Sequence, residues 1–178
     1  MSDGPGRAEL EALVAKVDAF MARAEAAQAD GLRCGRGCDA CCRTRRTAWA
    51  VEIDRLRRFV AELPAHRRAA LQARRADPEV VGGARCVFLD GDGACAAYLA
   101  RPLLCRTHGP VVRTPDDALS WCGLNFEGWS AEQVAARVEA DAVLDLELLN
   151  RMLALINARF VAARGGPERS PLDAALAG

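Results

Sequence analysis

Cys34-x-x-x-Cys38-x-x-Cys41-Cys42 puts four thiols within nine residues, and Cys86, Cys95, Cys105 and Cys122 supply four more. Soft sulfur donors suit zinc, iron and iron–sulfur clusters. Short spacing matters because a tight loop can aim several Sγ atoms at one ion about 2.3 Å away. An isolated cysteine reads as a small buried hydrophobe. Four in nine residues, interleaved with Gly and Arg, read as ligands. The neighbours Cys41 and Cys42 point apart if the chain is extended. That pair therefore feeds two adjacent sites or bridges a polynuclear centre. Eight thiols make two complete four-thiolate sites, each joining part of the first loop to part of the later segment.

Other chemistry is thinner. Cys34-x-x-x-Cys38-x-x-Cys41 also has the spacing of a radical-SAM cluster loop, but Ala40 stands where that superfamily has an aromatic, and Cys42 adds an adjacent thiol. His108 follows Cys105 closely and would complete a Cys₃His site if Cys122 stood aside; otherwise it is a loop histidine. His66, on an Arg-rich helix, is expected to face solvent. Asp90 and Asp92 form a turn with too few carboxylates for a calcium loop. Arg43, Arg101 and Arg106 are placed to donate to thiolate sulfurs and tune a centre. Trp121, Phe126 and Trp129 flank Cys122 and are expected to pack over the site. No Ser/His/Asp set, paired-carboxylate site or P-loop is present.

The composition fits a helix-rich globular chain. It has 178 residues, 51% of them hydrophobic, and 24 basic residues balance 24 acidic ones. That length suffices for one domain with its own core. The cysteine content lies well below the ~8–10% of a disulfide-built scaffold. Zero net charge excludes a bulk polyanion-binding tail. No run is long and apolar enough to span a membrane, and no export signal is read at the N-terminus, so a cytoplasmic, reducing location is expected. Clustered cysteines there point to metal or catalysis rather than disulfides. Between Arg33 and Arg75, 12 arginines stand against Asp39, Glu52, Asp54 and Glu62. With only Trp49 and Phe59 to stack, a solvated Arg-rich face is favoured over nucleic-acid binding. Metal ligation needs thiolates, so the loaded protein would combine an anionic core with this basic segment.

Several elements must hold these ligands. Leu10, Leu13, Val14, Val17, Phe20 and Met21 form the stripe of an amphipathic helix over 8–29. Residues 50–63 repeat the pattern through Ile53, Leu56, Val60 and Leu63. Pro64 opens a third helix. Val87-Phe88-Leu89 followed by Asp90-Gly91-Asp92-Gly93 suggests a small β-hairpin setting Cys86 opposite Cys95. Residues 107–129 are irregular. Ser130-Ala-Glu-Gln133 is a capping box, and the C-terminal helices cover 131–163, with Leu146, Leu149, Leu153, Ile156 and Phe160 as core or a dimer face. Gly165-Gly166-Pro167 closes the last helix, leaving 165–178 as an expected flexible tail.

Taken together, Cys34-Gly-Arg-Gly-Cys38-Asp-Ala-Cys41-Cys42-Arg43, Cys86-Val-Phe-Leu89, Gly93-Ala-Cys95, Tyr98 and Arg101-Pro102-Leu-Leu-Cys105-Arg106 resemble the CxxCxxCC cysteine-cluster family. That family is described as a zinc- or iron-chelating domain, and its relatives include flagellin lysine N-methylase. The resemblance implies Cys34, Cys38, Cys41, Cys42, Cys86, Cys95 and Cys105 as metal ligands. Cys122 joins them on its residue type. The methylase activity does not carry over, since nothing reads as a separate cofactor-binding domain. The expected fold is mostly α: a single domain over 1–164, its helices packed around an irregular cysteine-rich metal core (34–122). The expected function is chelation of zinc or iron, with a [4Fe-4S] cluster as the redox version. The alternative is a metal- or Fe–S-dependent enzyme, a methyltransferase or oxidoreductase acting on a peptide or protein. Metal ions are the expected partners, with a protein partner left open.

Overall fold

The apolar stripe from Leu10 to Met21 becomes helix α1, Arg7–Ala27, which buries Leu10, Leu13, Val14, Val17, Met21 and Ala24. Phe20 is only partly covered. The computed structural model describes residues 4–35 and 37–177. A short strand β1, Thr47–Trp49, leads into α2, Ala50–Glu62. Helices α3, Ala65–Arg74, and α4, Pro78–Val81, follow. The single turn α5 spans Leu103–Arg106. Strands β2, Val112–Arg113, and β3, Leu119–Ser120, lie in the irregular middle. Then come α6, Ala131–Arg137, β4, Leu144–Asp145, α7, Leu146–Arg164, and β5, Arg169–Pro171. The capping box at Ser130 forms as expected, its hydroxyl accepting from the Gln133 amide.

Helix α2 is central because both its faces are buried. Val51 joins α1, α5 and α7 in one core with Leu10, Leu13, Leu149, Leu153 and Phe160. Ile53, Leu56 and Val60 face a second core with Leu71, Val87, Phe88, Ala100 and Leu172. Each such side chain contributes roughly 1.5–3 kcal/mol on burial. Val111, Phe126 and Val134 form a third, smaller core. Phe126 meets Trp121 and Trp129 edge-to-face, at centroid distances of 5.9 and 5.6 Å. The stripe of α7 is core at Leu149, Leu153 and Phe160, while Leu148, Met152 and Leu155 stay exposed.

The C-terminal segment corrects the sequence expectation of a flexible tail over 165–178. Gly165 caps α7, and β5 then pairs antiparallel with β1 in the register Thr47↔Pro171, Trp49↔Arg169. A following 3₁₀ turn, Leu172–Leu176, buries Leu172, Ala175 and Leu176 in the α2 core. Three-residue strands carry too little periodicity to be read from sequence. Asn157, almost wholly buried, fastens this return by accepting from the Val51 amide (3.1 Å) and donating to the Glu168 carbonyl (3.3 Å). The expected hairpin is also smaller than a pair of strands. Leu89 and Cys95 make a single bridge, with the Asp90 amide donating to the Ala94 carbonyl (2.7 Å).

Two carboxylates on α2 are buried. Burial raises the pKa of Glu52, which accepts the Leu103 amide (2.7 Å) and the Trp49 amide (3.1 Å). It thereby ties the first turn of α5 to the start of α2. For Asp54, burial pushes the pKa up, but the guanidiniums of Arg7 (2.8 Å) and Arg58 (3.2 Å) outweigh it and hold the pKa below the ordinary value. A depressed carboxylate pKa contributes stability above its unfolded value that is lost as pH falls through the folded one. Asp54→Asn should therefore lower urea stability by about 1–2 kcal/mol at neutral pH. The gap should close in acid, below the depressed pKa. A gap independent of pH in urea titrations would contradict the charge argument.

Candidate metal centre

The first four cysteines lie on a loop with little regular structure. The Cys38 amide donates to the Gly35 carbonyl (3.0 Å), and Ala40–Cys42 forms one 3₁₀ turn. Cys41 and Cys42 are therefore not on an extended chain, the case in which adjacent thiols would point apart. They share a tight turn and their thiols interact, which raises the pKa of Cys41 and lowers that of Cys42. The Cys86 amide donates to the Cys42 carbonyl (2.8 Å), joining the first loop to the second segment. Gly93 explains how closely the two segments approach. It has φ +76°, and a Cβ there would sit 3.1 Å from the Gly37 carbonyl oxygen. Only glycine meets both demands without strain.

All eight cysteines carry free thiols. Seven line one open cavity of about 1190 Å³, together with His108. Cys86 lies in a separate small cleft with Arg45, Arg46 and Arg85, and packs against the α2 core. As they stand, no three His, Cys, Asp or Glu side chains among the described residues are grouped tightly enough to hold one ion. The donor set nonetheless fits zinc or iron: soft sulfurs ring one space on loops of low regularity. Closing ligands around an ion then needs side-chain rotation and loop adjustment, as metal-coupled ordering does.

Burial raises the thiol pKa values, to about 11 for Cys86 and about 12 for Cys105. Burial also raises Cys34 and Cys95. His108 stands exposed on the rim, where partial burial and then the Arg46 charge lower its pKa. Its imidazole is thus kept in the neutral form that ligation requires. His66 is exposed, as expected.

The arginines correct another expectation. Among the described residues, no arginine donates to a cysteine sulfur. Arg43 bonds the Asp39 carboxylate (2.6 Å), Arg46 the Cys41 carbonyl (3.3 Å) and Arg101 the Cys105 carbonyl (3.5 Å). Arg106 bonds Asp18 and the Arg101 carbonyl. Guanidinium N–H groups find oxygen a stronger acceptor than neutral sulfur. The Arg-rich segment is likewise spent on carboxylates inside and outside it: Arg58 on Asp54, Arg55 on Glu11, Arg74 on Asp90.

Sequence reading missed Asn125, which is 2% exposed. Its Nδ2 donates to Cys34 Sγ (3.3 Å) and to the Gly109 carbonyl (2.7 Å), while its Oδ1 accepts the Arg33 amide (2.8 Å). The Cys122 amide donates to that same Gly109 carbonyl (3.1 Å). Gly109, at φ +130°, leaves room for the thiol, since a Cβ there would lie 3.0 Å from Cys34 Sγ. The usable signal was a lone amide three residues past Cys122, between Trp121 and Phe126. Asn125→Ala should cost about 2–3 kcal/mol in chemical denaturation, because it strands several buried partners. Stability unchanged within error would dismiss the hub.

No helix among the described residues is long and apolar enough to cross a membrane. Among family models, CxxCxxCC, described as "Putative zinc- or iron-chelating domain", matches residues 33–124. The match spans every cysteine of the sequence, Cys122 included. No curated protein and no solved structure matches the chain.

Proposed function

The chain belongs to the CxxCxxCC family of zinc- or iron-chelating domains, and from that premise we propose that Cys34, Cys38, Cys41, Cys42, Cys86, Cys95, Cys105 and Cys122 bind the metal as thiolates. One observation carries the reading: segments far apart in sequence deliver seven of these thiols to one cavity, and the eighth, Cys86, is tied to Cys42 through the backbone (2.8 Å). Bound zinc would cross-link the loops; iron, alone or as a [4Fe-4S] cluster, would add one-electron chemistry. Free thiols in this number fit a reducing, cytoplasmic setting. Anaerobic purification with elemental analysis and visible absorbance tests the proposal. A brown protein with acid-labile sulfide carries a cluster, and a colourless one with zinc does not. Less than one metal per chain after reconstitution sinks chelation.

Metal must displace the thiol protons, and burial holds Cys86 and Cys105 protonated at neutral pH. Protons therefore compete with the ion, and apparent affinity falls as pH falls. Between about pH 8 and 6, zinc affinity by competition titration should drop by at least ~100-fold. A flat profile would speak against thiolate ligation.

A second reading, a metal- or cluster-dependent enzyme acting on a peptide or protein, is favoured by the cavity's size. At about 1190 Å³ it exceeds what an ion fills, and His108 and Arg101 stand on its wall. A methyltransferase or oxidoreductase would need an open position on the metal. Azide or cyanide perturbing the spectrum of the cobalt-substituted protein would support that position, and an inert spectrum would count against it.

A further inference from the structure

We infer that Asn125 is a positioning residue of the metal centre: its buried side-chain amide donates to Cys34 Sγ and sets the direction and donor strength of that sulfur toward a bound ion. The inference rests on the chelating function proposed above and deepens it.

The surrounding backbone fixes the amide so that it cannot turn over. The Arg33 N–H can only donate, so it must meet Oδ1 (2.8 Å). The Gly109 carbonyl can only accept, so it must meet Nδ2 (2.7 Å). The second Nδ2 hydrogen is left for Cys34 Sγ, 3.3 Å away. The donor also stands on a rigid base. The Asn125 backbone amide donates to the Cys122 carbonyl (2.8 Å), and the next residue, Phe126, bonds the Gly31 carbonyl (2.6 Å) and packs in the third core.

The sulfur is two-sided. Cys34 is an exposed residue on the cavity wall, open to an ion there and held from behind by an amide that is 2% exposed. As a thiol it can also donate to Oδ1 (3.5 Å). A metal takes that proton's place, and the bond from Nδ2 then remains. A hydrogen bond to an ionised sulfur is stronger than one to a neutral thiol. The contact is therefore worth more in the loaded protein than in the empty one, and the difference appears as affinity. Cys34 is singled out in this. Among the described residues it is the one cysteine whose sulfur receives a side-chain N–H. Arg43, Arg46 and Arg101 spend theirs on oxygen.

Zinc affinity of the full-length chain, measured by competition as a double-mutant cycle with Cys34, tests the assignment. Asn125→Ala should weaken zinc by about 10–100-fold. In a Cys34→Ser background the same change should weaken it by less than about 3-fold, because the sulfur it acts through is gone. In the cobalt-substituted protein, Asn125→Ala should move the sulfur-to-cobalt charge-transfer band to longer wavelength, since an N–H···S bond lowers the energy of the sulfur electrons. In Cys34→Ser the band should not respond to Asn125→Ala. If Asn125→Ala loses its helical circular dichroism, Asn125→Asp, which keeps an oxygen for the Arg33 amide, reads the same bond. An equal loss of affinity in both backgrounds, or an unmoved band, would make Asn125 a structural hub only and overturn the inference. Zinc affinity unchanged by Cys34→Ser would overturn it too, by removing Cys34 from the ligands. Chelation stands in each of those cases; less than one zinc per wild-type chain overturns chelation itself.

Discussion

Treating the metal-loaded protein with a strong chelator will leave most of its helical circular dichroism intact and unlock the cysteine loops. The two larger cores include none of the cysteines among their fully buried members: Leu10, Leu13, Val17, Leu149 and Phe160 in one, Ile53, Leu56, Val60 and Leu172 in the other. These should survive. The loop over 33–46 has no such support. It is held by a few turn bonds, by Asn125 on the Arg33 amide and Cys34 Sγ, by Cys86 on Cys42, by the Leu172 amide on the Arg46 carbonyl, and by Arg46 on the Cys41 carbonyl. Small zinc domains draw roughly 10–16 kcal/mol from the ion. Here only the loops depend on it, so a loss of at least about 5 kcal/mol is expected, lowering the melting midpoint by about 10–20 °C. Calorimetry reads the shift. Trypsin should cut after Arg43, Arg45 or Arg46 in the stripped protein and spare the loaded one. Identical midpoints and identical digests would show that the metal does not order this region.

Arg106→Ala is the most damaging single substitution expected beside the centre. The Arg106 side chain is 7% exposed and grips both oxygens of Asp18 on α1 (2.6 and 2.7 Å). It also donates to the Arg101 carbonyl (2.8 Å) and to the Leu99 carbonyl. One guanidinium therefore fastens the approach to α5, and with it Cys105, onto the first helix. Asp18 is half exposed and would rehydrate, so the lost ion pair is the smaller part of the cost. The larger part is the Arg101 carbonyl left without its side-chain donor, the Leu99 carbonyl left with Arg55 alone, and the space left in a packed wall. Together these amount to about 2–4 kcal/mol in urea or guanidinium unfolding. Arg106→Lys should recover less than half, because an ammonium cannot present donors in a planar fork. Full recovery by Lys would show that charge alone is what matters there.

The helices were legible because their apolar residues recur with the helical period: Leu10 to Met21 for α1, Ile53 to Val60 for α2, Leu149 to Phe160 for α7. Ser130 marked the start of α6 and Gly165 the end of α7. The return of residues 169–176 was not legible. Its pairing with β1 and its burial on α2 depend on a partner more than 100 residues away. The arginine roles were misread for a related reason. Proximity in sequence put Arg43 and Arg106 beside cysteines, but hydrogen bonds are decided by which acceptor lies within reach in space. For Arg106 that acceptor is Asp18, 88 residues distant.

The sequence by itself determined the donor chemistry. Thiol type, count and spacing name soft-metal ligation, and no packing can change what sulfur binds. Only the tertiary structure decided where those thiols sit, seven on one cavity and Cys86 in a separate cleft. That placement depends on the Asn125–Gly109 hub, the Gly93–Gly37 contact and the turn at Ala40–Cys42. The first two are aperiodic contacts between separate segments, made possible by positive φ or by a buried amide. Such contacts leave no repeating pattern in the chain, because the energy that selects them arises only once distant segments have met.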